Sequence, residues 1–194
     1  MRKVVLFDMG GVLLQWKDEW LFEEITKQSR TPFDKIKDHF NANISDLFVG
    51  RITEKQFWQK IPGLKKINPK IISQTFQGRS KIDEKIFNLA CSLKRQGYDI
   101  GILSNITPET RQILSKNWIS EFDHIFFSDL IRLAKPDSKI FSYVTERLSD
   151  YEIIFIDDKK ENVDAAKKHG IHSILFREHH SLMQQIMEKT SLAL

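Results

Sequence analysis

Apolar residues follow two rhythms along this chain. Five short runs are apolar at nearly successive positions: Arg2 to Asp8, Tyr98 to Leu103, His124 to Phe127, Ile153 to Ile156 and Ser173 to Phe176. A strand that is apolar without alternation is buried on both faces, the condition of strands in a parallel sheet. Between these runs the period lengthens. Ile82, Ile86, Leu89, Ala90 and Leu93 share one helical face, and Ile140, Val144 and Leu148, with Phe141 beside them, form a second such stripe. Thr107-Pro108 reads as an N-cap followed by proline at the first helical position. Strand alternating with helix predicts an α/β fold with a doubly wound, parallel five-stranded sheet, whose ligands sit beyond the C-terminal strand ends.

From Trp16 to Arg79 the alternation stops. Helix-like pieces take over: Trp20-Leu21-Phe22 with Ile25, Phe33-Ile36-Phe40, Ile44-Leu47-Phe48 and Phe57-Trp58-Ile61. Pro32, Gly50, Pro62-Gly63 and Pro69 punctuate them. This predicts a core domain made of residues 1–15 and 80–194, with a small helical-bundle cap over 16–79 inserted after the first strand.

Composition narrows the class. Apolar residues are 41% and charged residues 29% of the 194, an ordinary globular balance. The net charge is +4, but the lysines fall as scattered pairs (Lys65-Lys66, Lys159-Lys160, Lys167-Lys168), mostly with acids nearby. No basic stripe interleaved with aromatics is present, so nucleic acid is not an expected partner. No apolar run approaches the roughly 18 residues of a membrane span, and VVLF before Asp8 is too short for a signal-peptide core. The single cysteine, Cys91, reads as a small hydrophobe on a helix. His169, His172, His179 and His180 read as surface or sheet-edge residues. Together these predict a cytoplasmic protein without membrane contact, monomeric or weakly homodimeric.

The candidate chemistry stands where the strands end. The first run ends at Asp8 and the second in Ser104-Asn105. Ala134-Lys135-Pro136 follows the third, and the fourth ends in Asp157-Asp158. Singly, each has a structural role to offer: Asp158 opens Asp-x-x-Glu, an N-cap pattern, Ser104 suits a strand-end hydroxyl, and Lys135 suits an exposed loop. Asp157 fits such a role least, because an unpaired carboxylate at the end of a buried strand is costly. In combination, two acids from neighbouring strands with a lysine and a hydroxyl describe a site for a hard divalent cation and an anionic substrate.

The four stretches FDMGGVL, LSN, AKPD and FIDDKKENVDAA, in that order, resemble the haloacid dehalogenase-like hydrolase superfamily over nearly the whole chain. The insertion resembles the cap of its first subclass. Val49-Gly50-Arg51-Ile52-Thr53 with Phe57-Trp58 is similar to a branch that includes glucose-1-phosphate phosphatases. The resemblance implies a magnesium-dependent phosphatase for a small phosphorylated metabolite, a sugar phosphate, working through an aspartyl-phosphate. It implies Asp8 as nucleophile, and Asp8, the Gly10 carbonyl, Asp157 and Asp158 as the Mg2+ site, Asp158 through a water. It further implies Ser104, Asn105 and Lys135 as phosphate contacts. Arg51, with Trp16, Trp20 and Trp58, is a cap residue that could line the site.

Gly10 departs from the pattern, because most phosphatases of the superfamily carry a second Asp there as general acid and base. A good leaving group, a cap residue such as Asp18 or a water it holds, or low activity would each account for the glycine. Two rival readings follow: a binding or regulatory protein that keeps the fold, and a metal-free haloacid dehalogenase, against which the paired acids Asp157-Asp158 argue.

Overall fold

The structure, a computed structural model, describes residues 2–190; Met1 and residues 191–194, assigned above to the core, lie outside them. The elements run β1 (Arg2–Phe7), β2 (Leu14–Gln15), α1 (Asp18–Ser29), α2 (Phe33–Phe48), α3 (Glu54–Lys60), α4 (Ile71–Arg79), β3 (Lys81–Ile82), α5 (Glu84–Arg95) and β4 (Asp99–Ser104). They continue with α6 (Pro108–Ile113), α7 (Lys116–Ile119), β5 (His124–Phe127), α8 (Ser128–Ile131), α9 (Ser138–Arg147), β6 (Tyr151–Asp157), α10 (Lys160–Lys167), β7 (His172–Leu175) and α11 (His179–Thr190).

Five strands form one sheet in the order β5-β4-β1-β6-β7, and every pairing in it is parallel. The unbroken apolar run of β1 has its explanation here. Val5 and Phe7 face one core layer with Ile86, Leu89 and Leu93 of α5 and Leu182 and Ile186 of α11. Val4 and Leu6 face the opposite layer with Ile140, Phe141 and Val144 of α9. A strand covered on both sides needs apolar residues at both phases of its pleat. From β1 the chain builds outward to β4 and β5, then crosses back to β6 and β7. The order therefore reverses at β1, and the crevice at the C-terminal end of β1 is the switch point where such sheets take their ligands.

The insertion begins and ends at a two-strand clasp. β2 and β3 pair antiparallel, Leu14 with Ile82 and Gln15 with Lys81, so the chain leaves and re-enters the core at one place. Their brevity hid both strands from the sequence, and Ile82, read as the start of a helical stripe, belongs to β3 with α5 starting at Glu84. Between them lie four helices. The pieces Phe33-Ile36-Phe40 and Ile44-Leu47-Phe48 belong to one continuous helix, α2. Helix α4 was not read from the sequence. The four helices have their own apolar cluster around Phe22, Ile25, Ile36, Phe40, Phe57 and Trp58. Trp16 packs against both this cluster and the sheet's.

Candidate active site

Every polar group at a strand end except Ser104 meets at the switch point. Asp8 follows β1, Asp157 closes β6, and Lys135 lies in the loop between α8 and α9; all three are buried. The Lys135 ammonium donates to Asp157 Oδ2 at 2.6 Å and to the Leu103 carbonyl at 2.7 Å, and stands 2.9 Å from Asp8 Oδ1. Asp8 Oδ1 also accepts the Met9 N–H at 2.7 Å. Lys135 is thus not the exposed loop lysine its neighbours in sequence suggest.

Two asparagines set this geometry. The Asn105 side chain clasps the Lys135 backbone, donating to its carbonyl and accepting its N–H, each at 2.8 Å. Asn162, buried on α10, donates to both oxygens of Asp157 at 3.0 Å. The sequence reading gave neither asparagine this positioning role. Its trace lay in the motif spacing, since Asn162 stands five residues after Asp157, in the first turn of the helix that follows the strand. Asp157 Oδ1 further accepts the Lys159 N–H at 2.8 Å.

Asp8 and Asp157 share Lys135, with Asp158 beside them, and the acidity of the group reflects it. Burial raises Asp8 to about 7; Lys135 lowers it, but Asp157 and Asp158 push the same way as burial. Burial and then Asp157 raise Asp158 to about 6. Burial works against the charge on Lys135, yet Asp157 and Asp8 hold its pKa above the ordinary lysine value.

This donor set fits a hard cation. One oxygen from each of Asp8, Asp157 and Asp158 lies within 4.8 Å of the others. Asp158 Oδ1 is buried and has no hydrogen-bond partner among the described residues. An orphaned, partly desolvated carboxylate oxygen beside two other acids is what an oxygen-seeking cation resolves. The N-cap reading of Asp158 does not hold: Lys159 occupies the cap position of α10, and no side chain caps it. The glycines separate in function. Gly11 has φ +88°, and a Cβ there would stand 2.5 Å from Asp158 Oδ2. Gly10 lies against Trp16, whose Cδ1 would be 3.5 Å from an added Cβ, an ordinary contact, so the indole lies over this position.

Above the acids opens a cavity of about 310 Å³, lined by Asp8, Gly10, Asn105, Lys135 and Asp158 below and by the insert above. Trp16 and Asp18 line it. Asp18 accepts from Trp16 Nε1 and pairs with Lys159, both at 3.0 Å. Other expected contacts are not brought in. Ser104 is buried but does not line the cavity, and its hydroxyl is 3.4 Å from the Asn105 carbonyl. Arg51 is exposed on the insert and paired with Asp46, away from the cavity. Trp58 is buried in the insert's own cluster, and Trp20 packs edge-on against Trp16 outside the lining.

Known proteins share this frame. A sesquiterpene phosphatase of Aspergillus oryzae, astK, is 28% identical over 177 residues, 87% of each chain. A haloacid dehalogenase-family enzyme from Bacteroides thetaiotaomicron, solved as its magnesium complex, superposes with a TM-score of 0.75 at 26% identity, over 95% of this chain and 98% of that one. A predicted HAD-like family hydrolase from Porphyromonas gingivalis shares the fold over the full length of both chains, with a TM-score of 0.80 at 22% identity. The family model for haloacid dehalogenase-like hydrolases matches residues 2–170, from the first residue of β1 to the turn before β7. With a match of that extent, and acids standing at the switch point of the family's sheet, this chain belongs to the haloacid dehalogenase-like hydrolases.

Proposed function

We propose that the protein is a magnesium-dependent phosphatase of small phosphate monoesters, with Asp8 as nucleophile. The observation that carries this reading is the cluster of Asp8, Asp157 and Asp158 at the switch point, with the buried Lys135 paired to the first two. Mg2+ held by Asp8, Asp157, Asp158 and the Gly10 carbonyl would neutralise substrate charge, so that a carboxylate can approach a phosphate anion. The Asp8 carboxylate attacks phosphorus, the bond from phosphorus to the ester oxygen breaks, and the alcohol leaves with a proton from solvent. Water then attacks the aspartyl-phosphate, releasing inorganic phosphate and regenerating Asp8. Lys135 offsets charge on nucleophile and phosphate, with Asn105 and Asn162 fixing Lys135 and Asp157 in place. The Asn105 backbone N–H would contact a phosphoryl oxygen; Ser104, expected to do the same, stands outside the cavity lining.

The relatives support this reading: one is named a phosphatase and another was solved with magnesium. In it, residues 16–79 act as a first-subclass cap over a core of residues 1–15 and 80–194. The substrate is a small soluble phosphate ester; nucleic acid and membrane are not partners, and the protein works as a cytoplasmic monomer or weak homodimer. Among the described residues no helix is long and apolar enough to cross a membrane. The finer expectation of a sugar phosphate rests on the stretch Val49 to Thr53, and Arg51 stands outside the cavity.

A second reading, a binding protein with little turnover, has the Trp16 indole over Gly10 in its favour. Hydrolysis of p-nitrophenyl phosphate decides between them. Turnover with magnesium, lost in chelator and in Asp8→Asn, is expected; its absence from the native protein across divalent cations would favour the binding protein.

A further inference from the structure

The roof of the cavity differs from its floor. Trp16, Leu21 of α1, Phe40 and Phe48 of α2, and Ile72 and Phe76 of α4 supply it. Four of these are aromatic, and they come from three helices and the segment that leads into the first. A polyol bound beneath them would need hydrogen-bond partners, and the buried and half-buried polar side chains nearby are already committed; Lys17 and Glu19, also in the lining, are exposed. Both Asn105 side-chain atoms are held by Lys135. Asn162 faces Asp157. The Thr107 hydroxyl accepts the Thr110 N–H at 3.1 Å and lies 2.9 Å from the Thr110 hydroxyl. Asp18 is held by Trp16 and Lys159. Bringing sugar hydroxyls under this roof would strip their water without replacing it, which weakens binding for each group left unpaired.

Resting on the phosphatase reading for the position of the phosphate, we infer that the ester group of the substrate is an aliphatic hydrocarbon chain, not a polyol. The phosphate occupies the charged floor at Asp8 and Lys135, and the chain lies between Trp16, Phe40, Phe48 and Phe76. Such a pocket gains affinity with each methylene it covers, about tenfold for every two, until the cavity is filled. The cavity's 310 Å³ is near the lower bound of ligand pockets, so that gain stops at a modest chain length.

The test has three parts. First, p-nitrophenyl phosphate hydrolysis with magnesium, native against Asp8→Asn, reports on the phosphatase reading alone. Second, kcat/KM is measured for butyl, hexyl and geranyl monophosphate and for glucose 1-phosphate. A rise along the alkyl series, with glucose 1-phosphate below hexyl phosphate, is expected. Third, hexyl phosphate and glucose 1-phosphate are titrated calorimetrically into Asp8→Asn with magnesium. Tighter binding of hexyl phosphate with a negative heat-capacity change marks apolar burial. Phe48→Gln, a partly buried roof position, should flatten the chain-length dependence; a circular dichroism spectrum and melting curve verify that this variant is folded. If p-nitrophenyl phosphate turns over but glucose 1-phosphate is preferred and chain length has no effect, the inference is overturned while the phosphatase reading stands. If nothing turns over but the calorimetric preference for hexyl phosphate remains, the phosphatase reading fails and the apolar pocket stands.

Discussion

Residue by residue, the two glycines after Asp8 do different work. Gly11 sits in the left-handed region at φ +88°, and the space where a side chain would start is taken by the Asp158 carboxylate. Gly11→Ala should therefore cost about 1–2 kcal/mol for backbone conformation alone and displace Asp158. Its expected signature is a lowered melting temperature together with weaker magnesium dependence. Gly10→Ala meets only ordinary contact with Trp16 and should melt within about 0.5 kcal/mol of the native protein. Equal effects of the two substitutions would contradict this division. At this scale the sequence was informative where a residue ends a strand: Asp8 and Asp157 stand where the apolar runs placed them. It was uninformative where the role depends on a distant partner. The burial of Lys135 comes from Asp8, Asp157 and the Leu103 carbonyl, and its own neighbours Ala134 and Pro136 carry no sign of it. The exposure of Arg51 likewise follows from its pairing with Asp46, five residues back on α2.

Between elements, one acid outside the candidate site ties the insert to the core. Glu54, the first residue of α3, is fully buried. It accepts the Ile72 and Ser73 N–H groups at 3.2 and 3.1 Å, which α4 has no side-chain cap to satisfy. Its Oε1 lies 3.3 Å from the Thr107 hydroxyl, and its own N–H goes to Glu109 of α6 at 3.1 Å. Burial, and then the charge on Glu109, raise Glu54 to about 7. Glu54→Ala would orphan two helix N–H groups at the junction of insert and core, and it should lower unfolding free energy by about 2–3 kcal/mol in denaturant titration. A loss below about 0.5 kcal/mol would show that the contact does not hold the elements together. The sequence gives no direct sign of this junction. Thr53 to Gln56 does carry a capping-box spacing, and the box forms at the start of α3. Helix α4, with only a few apolar residues between Pro69 and Arg79, is held by its packing on α1 and α6 instead of by a strong stripe of its own.

For the molecule as a whole, acids that fold into raised pKa values set the pH response. Asp8 and Glu54 rise to about 7 and Asp158 to about 6, from ordinary values of 3.8, 4.5 and 3.8. Through that interval the folded chain binds more protons than the unfolded one, so unfolding free energy falls as pH rises from about 4 to about 7 and then levels off. Asp99 has the opposite sign, held below the ordinary carboxylate value because Tyr151, His124 and Arg2 outweigh its burial, and its effect lies at lower pH. Magnesium favours the deprotonated acids, so it should raise the melting temperature most at pH 7 and above and least near pH 5. Melting curves across pH, in chelator and in magnesium, check both signs. Stability that rises from pH 5 to pH 7 in chelator would contradict the account. The global architecture was the most legible level. Five two-faced apolar runs specify a buried parallel sheet, and the absence of such runs between Trp16 and Arg79 marks the insertion. The cavity roof was not legible, because Trp16, Phe40 and Phe76 lie far apart in sequence and meet only when the insert folds over the sheet.

The central claim is that Asp8 takes the phosphoryl group. Acid quenching of the protein during turnover of p-nitrophenyl phosphate with magnesium, followed by peptide mass spectrometry, tests it most directly. The expected result is one hydroxylamine-labile phosphoryl group on the peptide that contains Asp8, absent from Asp8→Asn and from the chelator control. Magnesium-dependent turnover by the native protein that persists in Asp8→Asn, with no phosphoryl group on that peptide, would contradict the claim.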